Sequence, residues 1–128
     1  MRKLVLGSLV AAAVGLCSAS AVAGPWEDGM AAYNRGDYVP AIQVFRGMAR
    51  AGNAKAQMML GAMYHRGQGV AKSSTRAFMW LSLAASRGDT QAKTELKTVA
   101  ATMTPADMVR ANEMMQSCEA SDYKSCEY

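Results

Sequence analysis

The chain has 128 residues, enough for one domain, and 51 % of them are hydrophobic, with alanine and methionine supplying much of that share and aromatics only 7 %. An alanine-rich composition poor in valine and isoleucine favours helix over sheet. The net charge of +4 drops to +2 when Arg2 and Lys3 are set aside, and no Lys/Arg cluster remains, so the charge gives no reason to expect nucleic acid as a partner.

Residues 1–23 read as a secretory signal peptide. Arg2 and Lys3 form a charged start, Leu4 to Leu16 an apolar run of 13 residues, and Ala21-Val22-Ala23 a small-x-small cleavage site before Gly24-Pro25. The run is too short and too rich in Ala and Gly for a membrane anchor, so no stable insertion is expected after cleavage. Cys17 follows Leu16, where a lipoprotein signal needs a small residue. The mature protein is therefore expected in the periplasm or outside the cell, without a lipid anchor.

From Glu27 to Arg35 a short helix is expected, with Trp26, Met30 and Tyr33 inward, broken at Gly36-Asp37. A second helix begins near Tyr38 and runs to about Ala51. Pro40 fits its first turn, where N–H groups lack helical partners anyway. Residues Ala54 to Gly88 hold two amphipathic segments around a glycine-bearing turn. Ala56, Leu60, Met63 and Tyr64 share one face of the first; Ala77, Trp80, Leu81, Ala84 and Ala85 share one face of the second, at helical spacings. Gly67 and Gly69 stand where the first should stop and Gly88 just past the second. Thr90 to Ala101 continues the pattern through Ala92, Leu96 and Val99. Thr104-Pro105-Ala106-Asp107 then restarts a helix, with Thr104 as cap and Asp107 near the positive end of the dipole, and this helix runs to about Cys118. The tail, residues 121–128, has no periodicity.

A repeat runs through these elements. Ala41, Val44, Phe45, Met48 and Ala49 stand 36 residues before Ala77, Trp80, Leu81, Ala84 and Ala85. Gly52 and Gly88, Asn53 and Asp89, Ala56 and Ala92, and Leu60 and Leu96 keep the same offset. Tyr33 and Tyr64 are only 31 apart, so the first hairpin lacks about five residues, those of the Gln68–Lys72 region. A hairpin of this kind cannot bury its apolar stripe alone and needs copies on either side. Six helices in three hairpins, the last a polar cap, make an all-α solenoid over residues 24–120.

The segment L-G-x-M-Y-x-x-G-x-G-V at Leu60 to Val70, followed by Arg76-Ala77, Trp80, Ala84-Ala85 and Gly88, resembles the signature of Sel-one-like repeats, a branch of the tetratricopeptide superfamily. One full repeat is covered. The first hairpin looks like a generic tetratricopeptide repeat, and the third copy is degenerate. Where the family has an acidic residue after the G-V turn this chain has Ser73, which can still cap the next helix. The resemblance implies an α-solenoid with a concave groove and an adaptor that binds proteins or peptides, without shared catalytic residues or cofactor. Leu60, Gly61, Tyr64, Gly67, Gly69, Ala77, Trp80, Ala84 and Gly88 carry over as structural positions only.

After cleavage two cysteines remain, Cys118 and Cys126. An even count in an exported protein points to a disulfide, which would constrain the unfolded state by roughly 2–3 kcal/mol. Two free thiols are the alternative; a metal site would have only Glu119, Asp122 and Glu127 to draw on. His65, the only histidine, reads as an exposed turn residue, and the scattered acids read as solvated faces and caps rather than an acid/base pair. Gly67-Gln68-Gly69 lacks the strand before it and the lysine after it that a phosphate loop needs. No enzymatic activity and no cofactor are expected.

Eleven methionines are the unusual feature. Met58, Met59 and Met63 beside His65 offer soft ligands for Cu(I), which makes periplasmic copper or redox handling the alternative function. Methionine also fills irregular gaps and adaptable binding surfaces. The leading expectation is an exported interaction module that lays a peptide or partner helix in the groove formed by the first helices of the hairpins. Asn34, Gln57 and His65 are expected as polar rim residues, and Tyr38 and Phe78, which fall off the main stripes, as groove contacts. An exposed end of so small a solenoid leaves homodimerisation or partner binding as ways to cover it.

Overall fold

A computed structural model describes residues 24–126; the expected leader (residues 1–23, with Cys17) and the last two residues lie outside the described residues. Among the described residues the regular elements are six helices: α1 (Pro25–Asn34), α2 (Tyr38–Arg50), α3 (Ala54–Arg66), α4 (Ser74–Ser86), α5 (Thr90–Ala100) and α6 (Pro105–Ala120). The fold is the expected all-α solenoid. Each of the first four helices packs on the next, with the closest association between α3 and α4.

Helix α1 starts two residues earlier than the periodicity predicts. Pro25 takes its first position, where a missing N–H removes no helical bond, and Trp26 then reaches the Phe45 ring at 5.3 Å between centroids. The 36-residue register is visible as chain geometry at two helix ends. Gly52 (φ 87°) and Gly88 (φ 94°) adopt a left-handed backbone that L side chains rarely tolerate. The N–H of Gly52 donates to Ala49 O at 3.0 Å and that of Asn53 to Met48 O at 3.1 Å; Gly88 and Asp89 repeat the pattern on Ala85 O at 3.0 Å and Ala84 O at 3.1 Å. These paired bonds satisfy the last carbonyls of α2 and α4. The next residue then opens the following helix: Asn53 Oδ1 accepts from Ala56 N at 2.9 Å and Asp89 Oδ1 from Ala92 N at 2.7 Å. Two residues thus end one helix and begin another, which fixes how the hairpins stack.

Within the hairpins the helices touch at small residues. A Cβ placed on Gly61 of α3 would lie 2.7 Å from Leu81 Cγ and 3.1 Å from the Ala77 carbonyl oxygen of α4. In the first hairpin Gly29 does the same job, where a Cβ would lie 2.9 Å from Phe45 Cε1. Phe45 and Leu81 are register partners, so a glycine in the first helix faces a large residue in the second in both hairpins. The α1–α2 connection is three residues (35–37) and the α3–α4 connection seven (67–73); this difference of four, with one further helical residue at the end of α3, makes up the five that the first hairpin lacks. The longer turn folds onto the start of α2: a Cβ on Gly69 would lie 2.6 Å from Tyr38 O, and Tyr33 Oη donates to Gln68 Oε1 at 3.2 Å.

The third copy departs from the first two. Helix α6 packs against α4 and not in a tight hairpin with α5. Helix α5 buries Ala92 and Val99 and turns Lys93, Thr94, Lys97 and Thr98 outward, leaving little apolar surface for α6 to cover. The connection is pinned elsewhere: Thr102 Oγ1 donates to Val99 O at 2.8 Å and lies 3.5 Å from Ser74 Oγ at the head of α4. Thr104 caps α6 as expected, and Asp107 returns a bond to the Thr104 N–H, completing a reciprocal capping box with both bonds at 3.1 Å. The Thr104 N–H, then the Thr104 hydroxyl and Arg110, hold the Asp107 carboxyl below its ordinary range.

Gly61→Ala should destabilise the protein by about 1–3 kcal/mol in urea denaturation, because Leu81 and the α4 backbone must give way. Gly47→Ala, mid-helix in α2 with open space around it, should instead stabilise by about 0.5–1 kcal/mol. The Asp107 contribution is present above the carboxylate's unfolded pKa and is lost as the pH falls through its lower folded value. Stability measured against pH should therefore lose an acidic component in Asp107→Asn that the parent shows.

Candidate functional site

A polar node of side chains joins the C-terminal ends of α1 and α3. Arg66, exposed at the last turn of α3, donates to Tyr33 Oη at 3.4 Å and to Glu95 Oε1 of α5 at 2.9 Å. Tyr33 Oη in turn donates a hydrogen bond to Gln68 Oε1. One arginine therefore bridges the first helices of all three repeats. Around this node lie three of the five residues predicted to contact a partner. Asn34 is exposed. Tyr38 is half-buried, its ring against Tyr33 at 5.3 Å. His65 is half-buried, and its Nδ1 is shielded from solvent without a hydrogen-bond partner, so it is not the fully exposed turn residue expected.

The other two are corrected by the structure. Gln57 is fully buried; its Nε2 donates to Ala49 O at 3.2 Å, tying α3 to α2, while its Oε1 has no partner. It is a core residue and offers nothing to a groove rim. Phe78 is 9 % exposed and belongs to the hydrophobic core rather than to a groove wall. The cause is the same for both. Every residue of α3 from Ala56 to Tyr64 is buried, and α4 buries Ala77 to Leu81 without a break. A helix covered on several sides has no polar face to read off a wheel.

The motif positions Leu60, Gly61, Tyr64, Ala77, Trp80 and Ala84 are buried, whereas Gly67, Gly69 and Gly88 sit in exposed turns with positive φ. Tyr64 keeps its hydroxyl within 3.3 Å of Arg46 Nη2, and Arg76 lies 6.0 Å from its ring centre. Met58, Met59 and Met63 are all core residues, so their thioethers pack against neighbours instead of opening toward solvent with His65. Among the described residues no group of three or more His, Cys, Asp or Glu side chains could hold a metal ion. No helix among them is long and apolar enough to cross a membrane.

Two surface pockets flank α6, a place that periodicity did not single out. One, of about 230 Å³, is lined by Glu113, Met114, Ser117, Ser125 and Cys126. The other, of about 150 Å³, lies between α6 and the head of α4, where Ser73, Thr75, Arg76, Arg110 and Met114 line it. The sulfurs of Cys118 and Cys126 are within bonding distance, with Cα atoms 4.4 Å apart, so the predicted pair is geometrically able to form a disulfide.

Residues 54–89 match the Sel1 repeat family model. The match spans α3, the seven-residue turn, α4 and the closing Gly88-Asp89, so the hairpin at the middle of the stack is a Sel1 repeat. No curated protein matches the chain. Sel1 repeats are typically non-enzymatic and generally mediate protein–protein interaction.

The burial of Gln57 has a direct test. Gln57→Glu should cost about 3 kcal/mol or more at neutral pH, with part of the loss recovered on acidification, since an ionised carboxylate there lacks water. At an exposed rim the same change would be close to neutral in chemical denaturation.

Proposed function

We propose that this chain is an exported, non-enzymatic protein-interaction module of the periplasm or extracellular space, holding a peptide or partner protein along its first helices. The Sel1 repeat at residues 54–89 carries this reading. Its motif residues are consumed by packing and turn geometry, so recognition falls to the less regular positions around them. The polar node at the ends of α1 and α3 supplies such positions. Asn34 and Arg66 are exposed, Tyr38 and His65 half-buried, and Arg66 already spans the three repeats. A partner docked there would meet an amphipathic tyrosine pair and a cation whose existing ion pair it can share. Neither nucleic acid nor a cofactor has a part in this reading. The leader at residues 1–23 would deliver the domain to that compartment and leave it without a membrane segment.

Site-specific photo-crosslinking tests the assignment. A photoreactive side chain placed at Asn34 should yield a discrete protein adduct in the cell envelope, and the same group at Gln43, exposed on α2, should not. Equal labelling from both positions, or none from either, overturns the proposal. An adduct of twice the chain's own mass identifies a second copy as the partner. Binding of Cu(I) tighter than millimolar, with no adduct, favours the methionine-based alternative.

A further inference from the structure

The tail that follows α6 is held in a backbone that its sequence does not favour. Asp122 (φ 55°) and Tyr123 (φ 62°) are consecutive non-glycine residues in the left-handed region. They repeat the helix-ending pattern of Gly52 and Gly88: Asp122 N donates to Glu119 O at 3.0 Å and Tyr123 N to Cys118 O at 2.9 Å. At those earlier ends a glycine makes the turn without strain. Here something outside the turn must hold it, and two features do. Ser121 Oγ donates to Cys118 O at 2.9 Å and accepts from Ser125 N at 2.8 Å, folding the tail back. The buried Cys118–Cys126 pair then closes the loop.

The closed loop delivers Tyr123 to a distant part of the chain. Arg87, which caps α4, donates through Nη2 to the Tyr123 hydroxyl and through Nη1 to the Gly52 carbonyl, and its guanidinium lies 4.9 Å from the centre of the Tyr123 ring. Gly52 is the residue that ends α2 and opens the way to α3. Arg87 and the Tyr123 ring cover it so closely that a Cβ there would meet both within 3.5 Å. The chain of contacts runs from the cysteine pair through Tyr123 and Arg87 to the α2–α3 turn.

We propose that the cysteine pair is a redox latch: the Cys118–Cys126 disulfide docks Tyr123 on Arg87, and its reduction releases both the tail and the clamp on the α2–α3 turn. An external dithiol opens the latch by thiol–disulfide exchange. Its first thiolate attacks one latch sulfur, displacing the other as a thiolate that takes up a proton; its second thiol resolves the mixed disulfide. Two electrons and two protons pass to the latch, and the dithiol leaves as a disulfide. The 230 Å³ pocket beside α6 reaches Cys126 and gives the reductant its approach. In an oxidising compartment the latch is closed. Once it opens, the strained turn at Asp122 and Tyr123 has no covalent restraint and relaxes.

Hydrogen exchange on the purified protein, oxidised and then treated with dithiothreitol, tests this. Reduction should expose two titratable thiols and raise exchange at residues 121–126 and at the α2–α3 turn (51–54), leaving the α1–α2 turn (35–37) unchanged. Tyr123→Ala, which keeps both cysteines, should loosen the α2–α3 turn without reduction. By reciprocity it should also make the disulfide easier to reduce, roughly fivefold in the equilibrium with dithiothreitol. Release of the tail with no change at 51–54 overturns the coupling. An unchanged disulfide equilibrium in Tyr123→Ala overturns it independently, and a protein that shows two free thiols after oxidation overturns the latch itself.

Discussion

The close approach of α3 and α4 at Gly61 is the constraint from which the rest of the fold is built. With no side chain there, the Leu81 side chain and the Ala77 carbonyl of α4 come against the α3 backbone. Short separation multiplies the dispersion contacts made by the large neighbours Leu60, Met63, Trp80 and Leu81, all fully buried. It also fixes where α4 begins, and therefore where the seven-residue turn must land. That turn folds on Tyr38, the first residue of α2, so the α3–α4 contact propagates backward into the first hairpin. Gly29 against Phe45 reproduces the arrangement there in a smaller hairpin with a shorter connection.

What could be read from the residue order follows from what that order encodes. Small and large residues at spacings of three and four encode contact between two helices, and a 36-residue offset encodes the stacking of successive pairs. Both are local or periodic properties. The six helices, the Thr104 cap of α6 and the paired helix ends at Gly52 and Gly88 are therefore legible in the sequence. Gln57 and Phe78 were not. An amphipathic wheel assumes one wet face, and the middle of α3 has none: the amide of Gln57 bonds to the α2 backbone where a wheel would have turned it to water. The polar node was illegible for a different reason. Arg66, Tyr33 and Glu95 are separated by about thirty residues in each direction, and nothing in a charged or aromatic residue names its partner at that distance.

Helix α6 shows how the stack continues among the described residues without a third regular hairpin. A third regular hairpin would need an apolar stripe on the outer side of α5, which carries lysine and threonine instead. Helix α6 takes its packing surface from α4. Ser73, Thr75 and Arg76 at the head of α4 share a pocket with Arg110 and Met114, and Arg87 at its tail meets Tyr123 just past α6, so the two helices run in the same direction. The second-helix layer is thereby extended while α5 keeps a polar outer side, which is what a terminal cap requires.

That closure explains why the tail is more than a remnant. Each earlier helix end in the 36-residue register hands the chain to the next helix through a glycine and a capping residue. At the end of α6 no helix follows among the described residues, and the glycine position holds Asp122. The same hydrogen-bond pattern survives in a less suitable residue, so its persistence has to come from contacts beyond the turn. Arg87 supplies one, bridging the last helix end to the first of the register pair at Gly52, and the Ser121 hydroxyl and the cysteine pair supply the others. The two ends of the second repeat are thus tied to each other directly by Arg87, and the tail is laid over that contact through Tyr123. The contact joins the end of α2, the end of α4 and the tail beyond α6 at one guanidinium.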